Sequence, residues 1–194
     1  VELTGPCGSQ SFTNSATLDV DNNYPGFNGE GDSSLTITGT LANTGTVQIG
    51  NPYLSSATTV TLGGLTNASG ASFALNGSAS HAATLDINGS ATVAGTLTIS
   101  SDAGVDLTGP GGIFTQTAGK TVVTGTLSAP SVVLTGGGKL EGTGTVTGAV
   151  SNTEGLIAGG SVDTSSPGTL TITGSYQSSG TGTLVALLAG TGTS

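Results

Sequence analysis

The sequence predicts an all-β protein: a parallel β-helix of about seven coils, about 25 residues each, behind an atypical N-terminal segment. Three observations predict it. The composition starves helices, apolar residues pair at a spacing of two, and those pairs recur at a near-constant interval along the chain.

The 194 residues include 35 Gly, 35 Thr and 24 Ser, nearly half the chain. All three types disfavour helix. Only 7% of the residues are charged, against roughly a quarter in ordinary domains. With two Lys, no Arg and a net charge of −9, the chain cannot neutralise phosphates, which excludes nucleic-acid partners. No run approaches the ~18 apolar residues of a membrane span, and no basic amphipathic stretch could lie on a bilayer. Disordered chains lack β-branched residues, whereas Val, Ile and Leu recur throughout this one. The length suffices for one domain with a core.

Two interleaved ladders carry the period. One runs Leu35/Ile37, Val60/Leu62, Leu85/Ile87, Val105/Leu107, Val132/Leu134, Ile157 and Leu184/Ala186. The other runs Val47/Ile49, Phe73/Leu75, Leu97/Ile99, Thr121/Val123, Val146 and Leu170/Ile172. A spacing of two puts both members of a pair on one face of a strand. A period near 25 is too short for a propeller blade and suits a coil of two or three short strands. Gly and Asn then occupy the corners, where positive φ is often required.

Residues 1–32 fit neither ladder. They hold Cys7, Phe12, Tyr24, Phe27 and five of the eleven acids, and read as a cap or docking segment ahead of a solenoid over 33–194. The chain opens on Val1 without Met or a charged-then-apolar leader, as where a signal peptide has been removed or was never included.

The text Gly138-Lys139-Leu140-Glu141-Gly142-Thr143-Gly144-Thr145-Val146-Thr147-Gly148-Ala149-Val150-Ser151-Asn152 resembles the coils of autotransporter passengers and related filamentous-adhesin-like bacterial surface β-helices. So does Ser166-Pro167-Gly168-Thr169-Leu170-Thr171-Ile172-Thr173-Gly174-Ser175-Tyr176-Gln177. The resemblance covers about residues 33–190 and carries no catalytic motif. It implies a right-handed coil and a secreted, extracellular or cell-surface location.

Chemistry-bearing residues are sparse. Asp86 and Asp106 occupy matching outward places in successive coils, about 5 Å apart, a separation that suits a retaining glycosidase. Two stacked exposed acids without cations or aromatics nearby read more simply as surface, so no catalytic residue is assigned. Asp19, Asp21, Glu30 and Asp32 offer hard oxygens for calcium but lack a calcium-loop pattern; an acidic turn is the plainer reading, and no cofactor is expected. His81 has no Cys or second His near it for zinc. Cys7 is the only cysteine, either buried or paired between chains. Asn67-Ala68-Ser69, Asn76-Gly77-Ser78 and Asn88-Gly89-Ser90 match the glycosylation sequon and read as turns. An ice-binding face would need a regular outward Thr array, but the outward residues read Thr36, Thr61, Asp86, Asp106, Val133 and Gln48, Ala74, Thr98, Val122, Thr171.

The expected function is therefore non-enzymatic: a structural or adhesive surface rod whose coil ends self-associate into fibres. A glycan-binding adhesin module is the alternative, ahead of a polysaccharide-acting enzyme or an ice-binding protein.

Overall fold

The computed structural model describes residues 2–3, 11–22 and 31–187. The described residues are all-β, with no helix, and their strands form a 12-stranded and a 9-stranded sheet.

The strands fall into three rows, each pairing in parallel with the strand of the next repeat. Row one holds Glu2–Leu3, the first halves of Ser34–Asn43 and Thr58–Asn67, then Ala83–Ile87 and Ala103–Leu107. It continues through the first halves of Thr126–Leu134 and Thr145–Asn152 to Thr171–Thr173. Row two holds Phe12–Asn14, the second halves of those four long strands, Ala91–Val93, Ile113–Gln116 and Tyr176–Ser178. Row three holds Thr17–Val20, Thr46–Ile49, Ser72–Leu75, Thr96–Ile99, Lys120–Val123, Lys139–Gly142, Leu156–Ser161 and Thr183–Val185. Because Thr58–Asn67 and Thr126–Leu134 run through both of the first two rows, the pairings between them close into a six-strand parallel ring.

Alternate residues of every row face one core. Its members include Leu35, Val60, Leu85, Val105, Leu127 and Val146 from row one, and the fully buried Phe114 and Phe73 from rows two and three.

The first ladder holds through Leu107 and the second through Val123, and both then change partners. Val105 pairs with Leu127, not Val132, which pairs instead with Phe114 in row two. Thr121 pairs with Leu140, 19 residues on, and Leu140 with Ile157, 17 residues on. Val146 and Ile172 belong to row one. The cause is the connection from row three to row one, which spans residues 50–57, then 76–82, then 100–102, then Thr124 and Gly125 alone, then Thr143 and Gly144 alone. Strand lengths barely change, so the period drifts with the turn.

The N-terminal segment also differs from the reading that set it outside the ladders. Phe12–Asn14 pairs with Leu41–Asn43 and Thr17–Val20 with Thr46–Ile49, in both cases 29 residues on. Its strands are in register, and a longer connection hid them. Cys7, Tyr24, Phe27 and Glu30 lie outside the described residues.

The corners work in two ways. At the corner between rows one and two, Gly148 (φ 128°) faces a bulge in which Ala129 and Pro130 oppose it; a Cβ there would lie 1.8 Å from the Ala129 carbonyl oxygen. Only glycine fits that crossing of backbone over backbone. At the corner between rows two and three the side chain is Asn, and positive φ is not what it supplies: Asn14, Asn43, Asn67 and Asn152 have ordinary φ and are buried. Asn14 Nδ2 donates to Asn43 Oδ1, and Asn43 Nδ2 to Asn67 Oδ1, each at 2.8 Å. The Gly45 N–H donates to Asn43 Oδ1 at 3.2 Å, and the Gly155 N–H to Asn152 Oδ1 at 2.8 Å. The acceptor side chain of the Asn67 sequon is therefore buried, although Ser69 is exposed.

Candidate functional site

Outward side chains of row one form two columns. One reads Ser34, Thr59, Thr84, Gly104, Thr126, Thr145, Thr171. Its neighbour reads Thr36, Thr61, Asp86, Asp106, Ser128, Thr147, Thr173. The fifth member of the outward series is thus Ser128 rather than Val133, and Thr171 sits in row one rather than following Val122, whose partner is Glu141. The face is more regularly hydroxylated than the sequence suggested, but Gly104, Asp86 and Asp106 interrupt it midway.

That interruption places two carboxylates side by side on the face. Asp86 and Asp106 are register partners on adjacent strands, so their backbones lie about 4.8 Å apart. Both are half-buried. Partial burial, then the charge of Asp106, holds the Asp86 carboxyl above the usual carboxylate range. Gly104, lacking a side chain between Thr84 and Thr126, hollows the face beside them. The resulting groove has a volume of about 540 Å³, and its lining includes Asp102, Asp106, Thr126, Ser128 and the turn from Ser78 to Ala82.

One wall of this groove comes from the connection over residues 76–82, which the preceding connection, residues 50–57, supports. Asn51, buried, accepts the Tyr53 N–H on its Oδ1 at 2.7 Å and donates Nδ2 to the Asp21 carbonyl at 2.7 Å. Leu54 buries its side chain, and its carbonyl reaches the next connection, accepting Ser78 Oγ–H at 2.8 Å and contacting His81 Nδ1 at 3.1 Å. A carbonyl only accepts, so Nδ1 carries the proton there. Ser78 and His81 bridge in antiparallel fashion. Two connections are thereby tied into one ledge, with a recess of about 620 Å³ whose lining includes Tyr53 and His81.

Three of the calcium candidates, Asp19, Asp21 and Asp32, lie among the described residues. The Asp21 carboxylate accepts Ser33 Oγ–H at 2.6 Å, the Ser33 N–H at 3.2 Å and Thr58 Oγ1–H at 2.5 Å, which makes it a pin between repeats. Asp19 Oδ1 accepts from Asn22 at 3.3 Å. Asp32 lines an end recess with Asp19 and Asp21, and Glu30 is outside the described residues. Among the described residues no three His, Cys, Asp or Glu side chains group as metal ligands.

Sequence reading missed one charged cluster. Lys120 and Lys139, the only cations of the Lys and Arg type, are register partners in row three. Both grip Asp163, each at 2.9 Å, and Lys120 lies 3.7 Å from the buried Glu141. Glu141 Oε2 accepts the Val162 N–H at 2.9 Å. Hydrogen bonds from Lys139 and Lys120, reinforced by their charges, hold Asp163 down at about 2. The hydrogen bond to Asp163 leads the rise at Lys120. The cluster clamps the turn that folds Ser166–Pro167 back, antiparallel, onto Gly160–Ser161. A constant period places Lys139 far from Lys120, which is why the pair was invisible.

No family model, no curated protein and no solved structure matches the chain. No helix among the described residues is long and apolar enough to cross a membrane.

Proposed function

We propose that the chain is a right-handed parallel β-helix of the bacterial exterior or cell surface, a rigid structural or adhesive element that stacks end to end on its own kind. One observation carries the stacking: among the described residues, the last repeat leaves two large core-facing side chains exposed. Leu184, 63% exposed, continues the column of the buried Ile157, and Tyr176, 37% exposed, continues that of Val150. Thr183–Val185 pairs with Leu156–Ser161 and, among the described residues, with nothing beyond it. A strand edge over a raw apolar surface is a template for another strand. A head-to-tail contact of that kind does not close and builds a filament. In this arrangement residues 1–32 dock on the last coil of the next copy. The resemblance to autotransporter passengers supports the location, and the hydroxyl-rich, cation-poor surface supports a passive role rather than catalysis.

Electron microscopy and light scattering over a concentration series test this. Filaments or concentration-dependent oligomers are expected, and Leu184→Lys should disperse them. Monomers at every concentration and salt would end the proposal.

A further inference from the structure

Beyond stacking, and independently of it, we infer that the groove and recess around Tyr53, His81 and Asp106 bind a neutral oligosaccharide.

Tyr53 is the starting point. A chain with three Tyr and no Trp leaves this ring 65% exposed. Its loop is not slack: the buried Asn51 holds the Tyr53 N–H, and the Leu54 side chain plugs the core immediately after it. A rigid exposed aromatic loses hydrophobic stabilisation in the free protein and regains it when a flat apolar surface covers it. The C–H face of a pyranose is such a surface, and its rim carries the hydroxyls that the neighbouring residues can use.

Those neighbours are acceptors. His81 Nδ1 donates to the Leu54 carbonyl, so in a neutral ring Nε2 is the nitrogen that accepts. Asp102 and Asp106 line the groove on the far side of the Ser78–His81 turn, and that turn borders both hollows. Thr84, Thr126 and Ser128 add hydroxyls along the same floor, and Gly104 provides its depth. Each hollow matches the size of a small-ligand site, and the two share the Ser78–His81 turn as a common border. An aromatic platform joined to acceptors aligned across successive strands fits a chain of sugar residues running along row one.

Charge decides the class. The molecule carries −9, and both lysines are committed to Asp163 on row three. Uronic or sialic sugars would meet Asp102 and Asp106 with no compensating Lys or Arg in either hollow. Neutral sugars bring only hydroxyl donors, which carboxylates accept well.

The test is calorimetric and NMR titration of the intact chain with cellohexaose, maltohexaose, chitohexaose and hexagalacturonate. At least one of the three neutral hexamers should bind saturably and perturb Tyr53, His81 and Asp106. Tyr53→Ala and Asp106→Asn, both surface changes, should each weaken that binding by about tenfold or more, the scale of a lost central contact. Lys139→Ala, on row three, should leave it unchanged. The inference is overturned if no neutral hexamer binds at millimolar concentration, if hexagalacturonate binds best, or if Tyr53→Ala binds like the parent. Cleavage of a bound hexamer that disappears in Asp86→Asn would overturn it in favour of a glycosidase. Filament formation bears on none of these outcomes, so stacking and binding fail separately.

Discussion

Replacing Asn43 by Ala probes the buried amide column directly. Asn43 is fully buried; its Oδ1 accepts from Asn14 Nδ2 at 2.8 Å and from the Gly45 N–H at 3.2 Å. Its Nδ2 donates to Asn67 Oδ1 at 2.8 Å and to the Ser72 carbonyl at 3.0 Å. Truncation strips a partner from five groups on three repeats, the Gly45 carbonyl at 3.3 Å among them; Asn14 Nδ2 keeps the Thr46 carbonyl at 2.9 Å, and each buried polar group left unpaired costs about 1–3 kcal/mol. Relaxation offers partial relief. At the equivalent corner occupied by Val93, the Gly95 N–H turns to the Asn67 carbonyl at 3.2 Å, so a corner without an amide has a second way to close. Allowing for that, Asn43→Ala should lose about 2–4 kcal/mol. Thr98→Ala, an outward position in row three, should lose no more than about 0.5 kcal/mol. Urea denaturation followed by circular dichroism reads the total. Because repeat arrays can open piecemeal, hydrogen exchange at Gly45 and Thr46 reads the corner itself. A loss below about 1 kcal/mol, with Gly45 still protected, would show that the backbone closes this corner without the amide.

Three further outcomes follow from the same structure. Asp86 has its folded pKa raised above 3.8, so the folded state holds the proton more tightly and stability falls as pH climbs from about 3.8 through the folded value. Asp86→Asn should therefore raise the melting temperature at pH 7 and change it less at pH 3; an equal or opposite shift would refute that burial penalty. Asp163 has the reverse sign: its pKa, lowered to about 2, adds stability above 3.8 that disappears as pH falls through about 2. Asp163→Asn should speed amide exchange across Val162–Ser166, and 1 M salt should do the same in the parent by screening the clamp; unchanged exchange in the variant would remove the clamp's role. Gly148→Ala must accept both a positive φ and the 1.8 Å approach to Ala129, whereas Gly137 (φ 79°) has nothing within 4 Å of a Cβ. The first should cost at least about 3 kcal/mol and the second about 1, and similar losses would mean that the corner is roomier than drawn.

Several of these features were legible in the residues and others were not, for identifiable reasons. Spacing-two pairs such as Leu85/Ile87 and Val105/Leu107 mark strands because alternation exposes one face and buries the other, a property local to each strand. The placement of Asp86 opposite Asp106 was readable for the same reason, since both sit at the centre of such a pair. Asn43 was readable as a corner, but not as a buried link to Asn14 and Asn67, because an amide column exists only after three repeats are stacked. Lys120 and Lys139 meet because the connection between their repeats has shrunk, and connection length leaves no periodic mark in hydropathy. The same variation, in the other direction, creates the ledge: residues 50–57 and 76–82 are long enough to project, and only hydrogen bonds between them set Tyr53 beside His81.

By itself, then, the sequence determined the class of fold. Scarce helix formers and alternating apolar residues leave extended strands around one thin core, and a recurring pattern makes like pair with like. The tertiary structure alone decided which repeats face which, and with that where the charges, the amide column and the groove lie. Alternation is a one-residue geometry written in the chain, whereas register between repeats is the sum of every strand and turn that separates them.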